Sequence, residues 1–276
     1  MTHPLDGVFL KLNRAEKHAY DLYCAIERFV NGHFYDTVAD PRSKELVYAR
    51  LKNVKEPPPD LSILIGECIY QYRSALDHLA LALAGVHTCP LPDDFAQTSA
   101  FPIFKTGPRF KRRGNRGAFH KMRGMSRSTR ASVERLQPYH SRKHPELKAL
   151  WMLEELSNID KHRLLHVTAT LPARARFHIQ GTGFARLEKL VVIPRPIKED
   201  AIVARFHGYF EPKREVDVKA ELVADIAFDE RSPARSVQGL SVIETLDKIG
   251  RVIAFAVMPE LVRHFPGDWT ITLKES

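Results

Sequence analysis

The longest apolar-periodic stretch in the chain spans residues 61–84, and it constrains the fold more strongly than any other segment. Its large apolar residues recur three and four positions apart, so they cluster on one side of a helix with 100° between successive residues. They are Ile65, Ile69, Tyr72, Leu76, Leu79 and Leu83. We expect a long helix that is capped by Asp60, ends at Gly85 and buries this face. The rest of the chain is then organised around it.

Other segments in the first part of the chain also predict helices. Residues 7–30 have helical periodicity, and Pro145 precedes a second helical pattern at 146–165. A basic and weakly patterned helix is expected at 115–137. Two short strands near 33–52 can form a hairpin around Asp40-Pro41. Residues 1–165 are therefore predicted to be a helical bundle with a short β-hairpin.

After residue 165 the hydrophobic period changes. Residues 216–228 alternate for thirteen positions, which is typical of an antiparallel strand with one solvated face. An apolar stripe at 237–258 predicts a helix, and residues 269–273 suggest a last short strand. The order of elements predicts an α+β fold, with an N-terminal helical bundle followed by an antiparallel β-sheet covered by a C-terminal helix. We expect 1–165 and 166–276 to form one compact unit.

The composition indicates the cellular compartment in which such a protein is found. Apolar runs are all shorter than 18 residues, so we expect no membrane span. The N-terminus lacks a basic start followed by an apolar core, so no signal peptide is expected. Three cysteines, Cys24, Cys68 and Cys89, are an odd number without metal-type spacing. They indicate a reducing cytoplasm and buried free thiols.

The charge is concentrated in one segment. Residues 105–143 hold thirteen Lys or Arg and one acid, Glu134, which gives +12 in a chain whose total is +9. The rest of the chain is therefore close to −3. This charge favours nucleic acid or another polyanion as partner, and a solvated basic loop without a partner is the alternative. The residues assigned to phosphate binding are Lys111, Arg112, Arg113, Arg116, Lys121 and Arg123.

Aromatic residues are interleaved with these cations. Phe104, Phe110, Phe119 and Tyr139 lie in or next to the basic runs. Exposed aromatic rings among cations can stack on nucleic-acid bases. The same rings can instead anchor the segment in the core, and the sequence leaves both interpretations open.

The helix at 61–84 carries polar residues that a purely structural helix does not need. Arg73 and Asp77 are one turn apart and can form an i,i+4 pair. Glu67, Ser74 and His78 lie near a common line on another side. Gly66 and other small residues beside Arg73 and Asp77 would let another helix approach closely.

A matching set lies on the helix predicted at 146–165. Glu155, Asn158 and His162 share a face with large apolar residues, so we expect that face to be partly buried and to meet the Glu67–His78 line. Three interpretations follow: a buried polar network that fixes helix register, an acid–base site, or a metal site between helices. The Glu-x-x-His spacing of bundle metal sites is missing, so no metal and no cofactor is expected.

Two resemblances add to these patterns. Arg73-Ser-Ala-Leu-Asp77-His78 resembles the Arg-x4-His motif of HEPN-type ribonucleases. The resemblance implies a dimeric helical bundle that cleaves RNA without a metal, and it implies that Arg73, His78 and Asp77 are the catalytic residues. Glu67, Glu155, Asn158 and His162 would surround them. On a regular helix Arg73 and His78 point about 140° apart, so a second chain or a local break must bring them together.

The second resemblance is broader and carries no activity. The sequences RSALDHLA, FPIF and ELSNIDKHRLL, taken in this order, are similar to a family of uncharacterised bacterial proteins. Two hypotheses therefore stand. One is an RNA-directed, HEPN-like protein that cleaves or binds RNA, for which the resemblance implies a homodimer. The other is a non-catalytic binding or scaffold protein whose His and acid network is structural.

Overall fold

The computed structural model describes residues 3–115, 117–170, 177–182, 184–192, 196–210, 217–222 and 224–267. The predicted α+β class is confirmed: N-terminal helices are followed by antiparallel strands and a C-terminal helix. Helix α1 spans Asp6–Val30 and helix α2 spans Pro59–His87, and they pack against each other over much of their length. Helix α2 also contacts α7 (Lys148–Asp160) and α8 (Val242–Val252), so it lies at the centre of the helical layer.

The predicted ends of α2 are wrong at both termini. The helix starts at Pro59, which needs no N–H partner in the first turn, and Asp60 lies inside that turn and does not cap it. At the other end the helix continues past Gly85 to His87. The glycine lies close to the following chain: a Cβ there would lie 3.3 Å from Cδ1 of Leu91, a tight contact that the Leu91 side chain would have to relieve. Gly85 is therefore a packing position inside the helix.

The helix predicted at 115–137 is two short helices, α5 (Ala118–Lys121) and α6 (Arg127–Arg135). Before them, the chain forms two further single turns, α3 (Phe95–Thr98) and α4 (Gly107–Phe110). The chain breaks between α5 and α6 because Gly124 has a φ of +79°. Ser126 then caps α6 by accepting a hydrogen bond from the Thr129 N–H.

The chain after α6 reaches α7 through two single turns of 3-10 helix. They are Pro138–His140 and Pro145–Leu147. The helix predicted at 146–165 is confirmed in position but ends at Asp160, five residues early. His162 therefore lies beyond the helix and does not continue its polar face.

The strands form three antiparallel sheets within the described residues. Their bounds are β1 Asp36–Ser43, β2 Leu46–Lys52, β3 Val167–Thr170, β4 Phe177–Thr182, β5 Phe184–Val192, β6 Ile202–Phe210, β7 Asp217–Leu222 and β8 Asp225–Phe228. The order of the largest sheet is β1-β2-β6-β5, and the pairs β3-β8 and β4-β7 form the others. Because β2 pairs with β6, the two strands of the N-terminal hairpin share one sheet with two strands of the later chain.

Two strand predictions need correction. The hairpin is confirmed, but Asp40 and Pro41 lie inside β1, and the turn is at Lys44-Glu45. Proline is tolerated there because β1 is an edge strand, and Asp40 is held by the Arg42 and Arg50 guanidinium groups. The thirteen-residue strand at 216–228 is two strands, because β7 and β8 pair with different partners.

The C-terminal helical region is also subdivided. Ser241 caps α8 at its start, and a π-helical turn, Ile253–Val257, joins α8 to α9 (Met258–Val262). Helix α8 packs against α7, α2 and strand β8. The strand predicted at 269–273 lies outside the described residues. Among the helices that are described, none has the length and hydropathy that a bilayer span requires.

The cysteines match the prediction only in part. All three are free thiols, as expected. Cys68 is buried, whereas Cys24 is half-buried and Cys89 is exposed, so the expectation of three buried thiols is wrong. Cys89 lies just after α2, where the chain leaves the core.

Candidate functional site

Arg73 joins three parts of the fold. Its Nη2 donates to Asp77 Oδ1 at 2.9 Å and to the Phe101 carbonyl at 2.7 Å, and its Nη1 donates to Glu154 Oε2 at 3.1 Å. Asp77 Oδ1 also accepts from the Phe101 N–H at 2.9 Å. The predicted Arg73–Asp77 pair is confirmed. The Arg73 side chain is only 10% exposed, so its donors are committed to α2, α7 and the chain at Phe101.

The facing arrangement predicted for the residues of α7 is wrong. Glu155 Oε2 accepts from the Ser236 N–H at 3.0 Å, which turns it toward the chain before α8. Asn158 donates to Glu154 Oε1 at 3.3 Å, and His162 is exposed beyond the helix. The contact of α7 with Arg73 is made by Glu154, one residue before the predicted acid. Three residues expected on one face thus have three different surroundings.

The Glu67–His78 line of α2 faces α1, not α7. Glu67 Oε2 lies 3.1 Å from Nδ1 of His18 on α1. The exposed His78 ring lies against Gly7, where a Cβ would be 2.7 Å from His78 Nδ1. The structure therefore does not bring His78 to Arg73, since α2 is continuous through both and they reach different neighbours. A HEPN-like pair of these residues needs a second chain and stays a prediction.

Glu67 lies in a cleft that the sequence does not reveal. The cleft is formed by α1, α2 and the end of α7, and its volume is about 470 Å³. Its polar lining comprises Arg14, His18, Glu67, Gln71 and Asp160. Arg14 Nε donates to His18 Nε2 at 3.0 Å. Nδ1, on the other side of the ring, lies near Glu67 but forms no hydrogen bond within the described residues.

Asp160 enters this cleft because α2 has a glycine opposite it. An added Cβ on Gly66 would lie 2.4 Å from Asp160 Oδ1, so the close helix approach expected at Gly66 is confirmed. Burial raises the pKa of Asp160, and no cation within the described chain forms an ion pair with it. The Gln71 Oε1 atom is also buried, and no donor in the described part of the protein reaches it.

The rim of the cleft is apolar and open. Ile63, Tyr70 and Leu164 line it, and their exposed fractions are 49%, 60% and 50%. Lys11 of α1 lies 5.5 Å from the centre of the Tyr70 ring. The cleft thus combines a polar base with half-exposed apolar walls, which is the usual composition of a small-molecule site.

The basic segment is anchored by aromatic rings. Phe110 is 1% exposed, and its ring lies 5.9 Å from Phe104, 6.4 Å from Phe119 and 6.0 Å from Tyr139. These contacts support the interpretation of the rings as core anchors, although Phe119 stays half exposed. Because Phe110 ends α4 and Tyr139 precedes His140–Lys143, two basic stretches are held on one aromatic cluster.

The cations assigned to phosphate binding divide into two groups. Lys111, Arg112 and Arg113 are exposed, and Lys111 lies 3.5 Å from Glu134. Arg123 is held by Asp94 at 2.8 Å and by Thr98. Burial and then the neighbouring Arg73 lower the pKa of Lys121, whose Nζ lies 5.7 Å from the centre of the Phe104 ring. Arg116 lies outside the described residues.

Further exposed cations lie beside the first group. We define the basic surface by Arg109, Lys111, Arg112, Arg113, Arg142 and Lys143, all of which are exposed. Within the described ranges, all of them except Lys111 lack an ion-pair partner. By contrast, Arg135 is paired with Glu260 at 2.6 Å, which links α6 to α9. Five of the six cations of the basic surface therefore have no carboxylate partner in the described ranges.

Comparisons with known proteins identify no relative. No protein-family model, no curated protein and no solved structure matches the chain. No group of three or more His, Cys, Asp or Glu side chains suited to a metal ion occurs in the portion of the chain that the structure describes. The functional interpretation therefore depends on the geometry of this chain.

Sequence reasoning missed four residues that the structure brings into these sites: Arg14, His18, Glu154 and Asp160. A signal was present for the first two, because they lie one turn apart on α1 and His18 falls among its buried positions Ala15, Leu22 and Ile26. A His at such a position requires a polar partner. No local pattern places Asp160 against Gly66, because that contact depends on how α7 crosses α2.

Proposed function

We propose that the protein is a non-catalytic RNA-binding protein, and that the basic surface is its contact with phosphate. The observation that carries the proposal is a surface on which Arg109, Arg112, Arg113, Arg142 and Lys143 are exposed, with no carboxylate partner in the part of the chain that the structure describes. Charges of this kind release counterions from a nucleic acid when they bind it. A basic loop without a partner would not need to be anchored to the core, whereas this segment is anchored by the buried Phe110 ring.

Single-stranded RNA fits this surface better than a duplex. Phe119 is 48% exposed, and the rings of Tyr139 and His140 are 4.5 Å apart. Unstacked bases can pack on such rings, whereas the bases of a duplex are already stacked. The surface offers flat rings next to cations, which is the combination that single strands use.

The Arg73 network has a structural role in this proposal. Its donors are taken by Asp77, Glu154 and the Phe101 carbonyl, and the last of these holds the chain just before the basic segment. Gln137 adds a second tie, because its side chain donates to the Pro102 carbonyl and accepts from the Phe104 N–H. The polar network thus positions the binding surface without taking part in chemistry.

Fluorescence anisotropy with a labelled, unstructured 20-nucleotide RNA tests the proposal. The variant Arg109→Ala/Arg112→Ala/Arg113→Ala should bind at least about tenfold more weakly at 100 mM salt and reduce the slope of log Kd against log salt by about 2. The matched control removes three exposed cations elsewhere, in Lys17→Ala/Lys248→Ala/Arg251→Ala. It should retain the affinity of the original protein, apart from a small effect of net charge.

Two outcomes would contradict this function. Equal losses in the two triple variants would mean that only net charge matters and that the basic surface is not a binding site. Metal-independent RNA cleavage that is abolished by both Arg73→Ala and His78→Ala, in variants that remain folded, would instead support a HEPN-like enzyme. Such cleavage requires a homodimer, which light scattering after size-exclusion chromatography would detect.

A further inference from the structure

We propose that the cleft between α1, α2 and the end of α7 binds a small organic cation, with an ammonium or guanidinium group at its polar base and an apolar body at its rim. The site is separate from the basic surface and of opposite chemistry. The proposal goes beyond RNA binding and does not depend on it.

The charge of the polar lining favours a cation. His18 Nε2 accepts a hydrogen bond from Arg14 Nε. Apart from His18, the groups of the lining that carry charge are one guanidinium, that of Arg14, and two carboxylates, those of Glu67 and Asp160. One further positive charge would balance them. An anionic ligand would face both carboxylates in a partly desolvated place, which is unfavourable.

Asp160 lies at a position where a negative charge is disfavoured. It is the last residue of α7, where the helix dipole already disfavours a negative charge, and it lies against the backbone at Gly66. Neither a hydrogen bond nor an ion pair to its carboxylate is formed within the described residues. A ligand ammonium would supply both the charge and the donors.

Two further acceptors converge on the same cavity. Among the residues that the structure describes, no donor reaches the buried Gln71 Oε1 atom, and the Glu67 carboxylate has His18 Nδ1 as its ion-pair neighbour. The His18 side chain is 9% exposed, whereas that of Glu67 is 46% exposed, so a ligand can reach the Glu67 carboxylate from solvent. Three acceptors with spare capacity match the three donors of a primary ammonium group.

The residues at the rim of the cleft indicate that the rest of the ligand is apolar. Ile63, Tyr70 and Leu164 are about half exposed around an opening that leads to the acceptors. A volume of about 470 Å³ accommodates a ring with a short alkyl chain. Lys11 lies over the Tyr70 ring and would lie beside the apolar part of such a ligand.

Isothermal titration calorimetry with three probes of one skeleton tests the charge. The probes are 2-phenylethylamine, 2-phenylethanol and 3-phenylpropionate, which are cationic, neutral and anionic at pH 7.5. We expect the amine to bind with a Kd below about 1 mM, the alcohol at least about tenfold more weakly and the carboxylate more weakly still. Equal or tighter binding of the carboxylate, or no binding of the amine, would overturn the proposal.

Two isosteric variants locate the site. Asp160→Asn and Glu67→Gln should each weaken amine binding about tenfold or more, because each removes one negative charge and keeps the shape. Glu16→Gln, which changes an exposed carboxylate on α1 outside the cleft, is the matched control and should bind normally. Unchanged amine affinity in Asp160→Asn would place the binding elsewhere and disprove the assignment. Circular dichroism confirms that each variant is folded.

Discussion

Arg73 and Glu154 are 81 residues apart in the chain, yet the Arg73 guanidinium lies 3.1 Å from the Glu154 carboxylate in a mostly buried contact between α2 and α7. The Asp77 carboxylate and the Phe101 carbonyl both accept hydrogen bonds from the other terminal nitrogen of this guanidinium, Nη2. The motif that most resembles a catalytic site is thus the point where two helices and the loop before the basic segment are joined.

Removal of Arg73 should destabilise the protein strongly. Arg73→Ala leaves Glu154 without its cation and the Phe101 carbonyl without its side-chain donor, so we expect a loss of about 3 kcal/mol in the free energy of unfolding. Arg251→Ala removes an exposed i,i+4 pair with Asp247 and should cost less than about 0.5 kcal/mol. Urea denaturation measures both. A loss below about 1 kcal/mol for Arg73→Ala would show that the network is dispensable.

Substitution of His78 should have little effect on stability. His78 is exposed and its ring only covers Gly7, so His78→Ala should change the free energy of unfolding by less than about 0.5 kcal/mol. RNA affinity should also be unchanged, because His78 is not part of the basic surface. The same denaturation and anisotropy measurements test this, and a clear loss of RNA affinity would return His78 to the functional site.

Stability should depend on pH through Asp160. Its pKa is raised by burial, so the folded state binds this proton more tightly than the unfolded state does. The resulting penalty is fully present above the raised pKa and disappears as the pH falls through it. Asp160→Asn should therefore raise the Tm at pH 7.5 by about 1–3 °C and have no such benefit near pH 4. Differential scanning calorimetry at the two pH values checks the sign.

The same variant separates stability from binding. An Asp160→Asn protein that is more stable but binds amines poorly has lost a ligand contact and not its fold. If its Tm falls at pH 7.5, the carboxylate has a stabilising partner, and its lack of an ion pair would need revision.

The cysteines should differ widely in reactivity. Burial raises the pKa of the Cys68 thiol to about 12, whereas Cys89 is exposed. Iodoacetamide at pH 8 should therefore label Cys89 within minutes and leave Cys68 unmodified until the protein is unfolded in urea. Peptide mass spectrometry measures both sites, with Cys89→Ser as the control. Labelling of Cys68 in the native protein at a rate similar to that of Cys89 would contradict its burial.

Local sequence patterns were sufficient for the helices that have one clear period. Helix α1 was predicted to within a residue at its start, and α2 was predicted in position although not at its ends. The Arg73–Asp77 pair was also predictable, because an i,i+4 spacing is a property of one helix. These features depend on residues that are close in sequence, and local geometry decides them.

Patterns failed where a long-range partner changes the outcome. Apolar and polar residues alternate across 216–228 as in one strand, yet the segment forms two strands, because β7 pairs with β4 and β8 pairs with β3. Glu155 was predicted to lie on the face of α7 that contacts α2. Its carboxylate instead accepts a hydrogen bond from the Ser236 N–H, and Glu154 contacts Arg73. A helical wheel gives relative directions around one axis and does not say which neighbour lies in each direction.

The sequence by itself determined the α+β order of elements, the central position of α2 and the concentration of positive charge in residues 105–143. The tertiary structure alone decided that Asp160 meets Gly66, that Glu67 meets His18 and that Phe110 is buried at the centre of the aromatic cluster of the basic segment. The reason is physical: periodicity and charge are properties of neighbouring residues, whereas a cleft or an anchored surface depends on how distant segments pack.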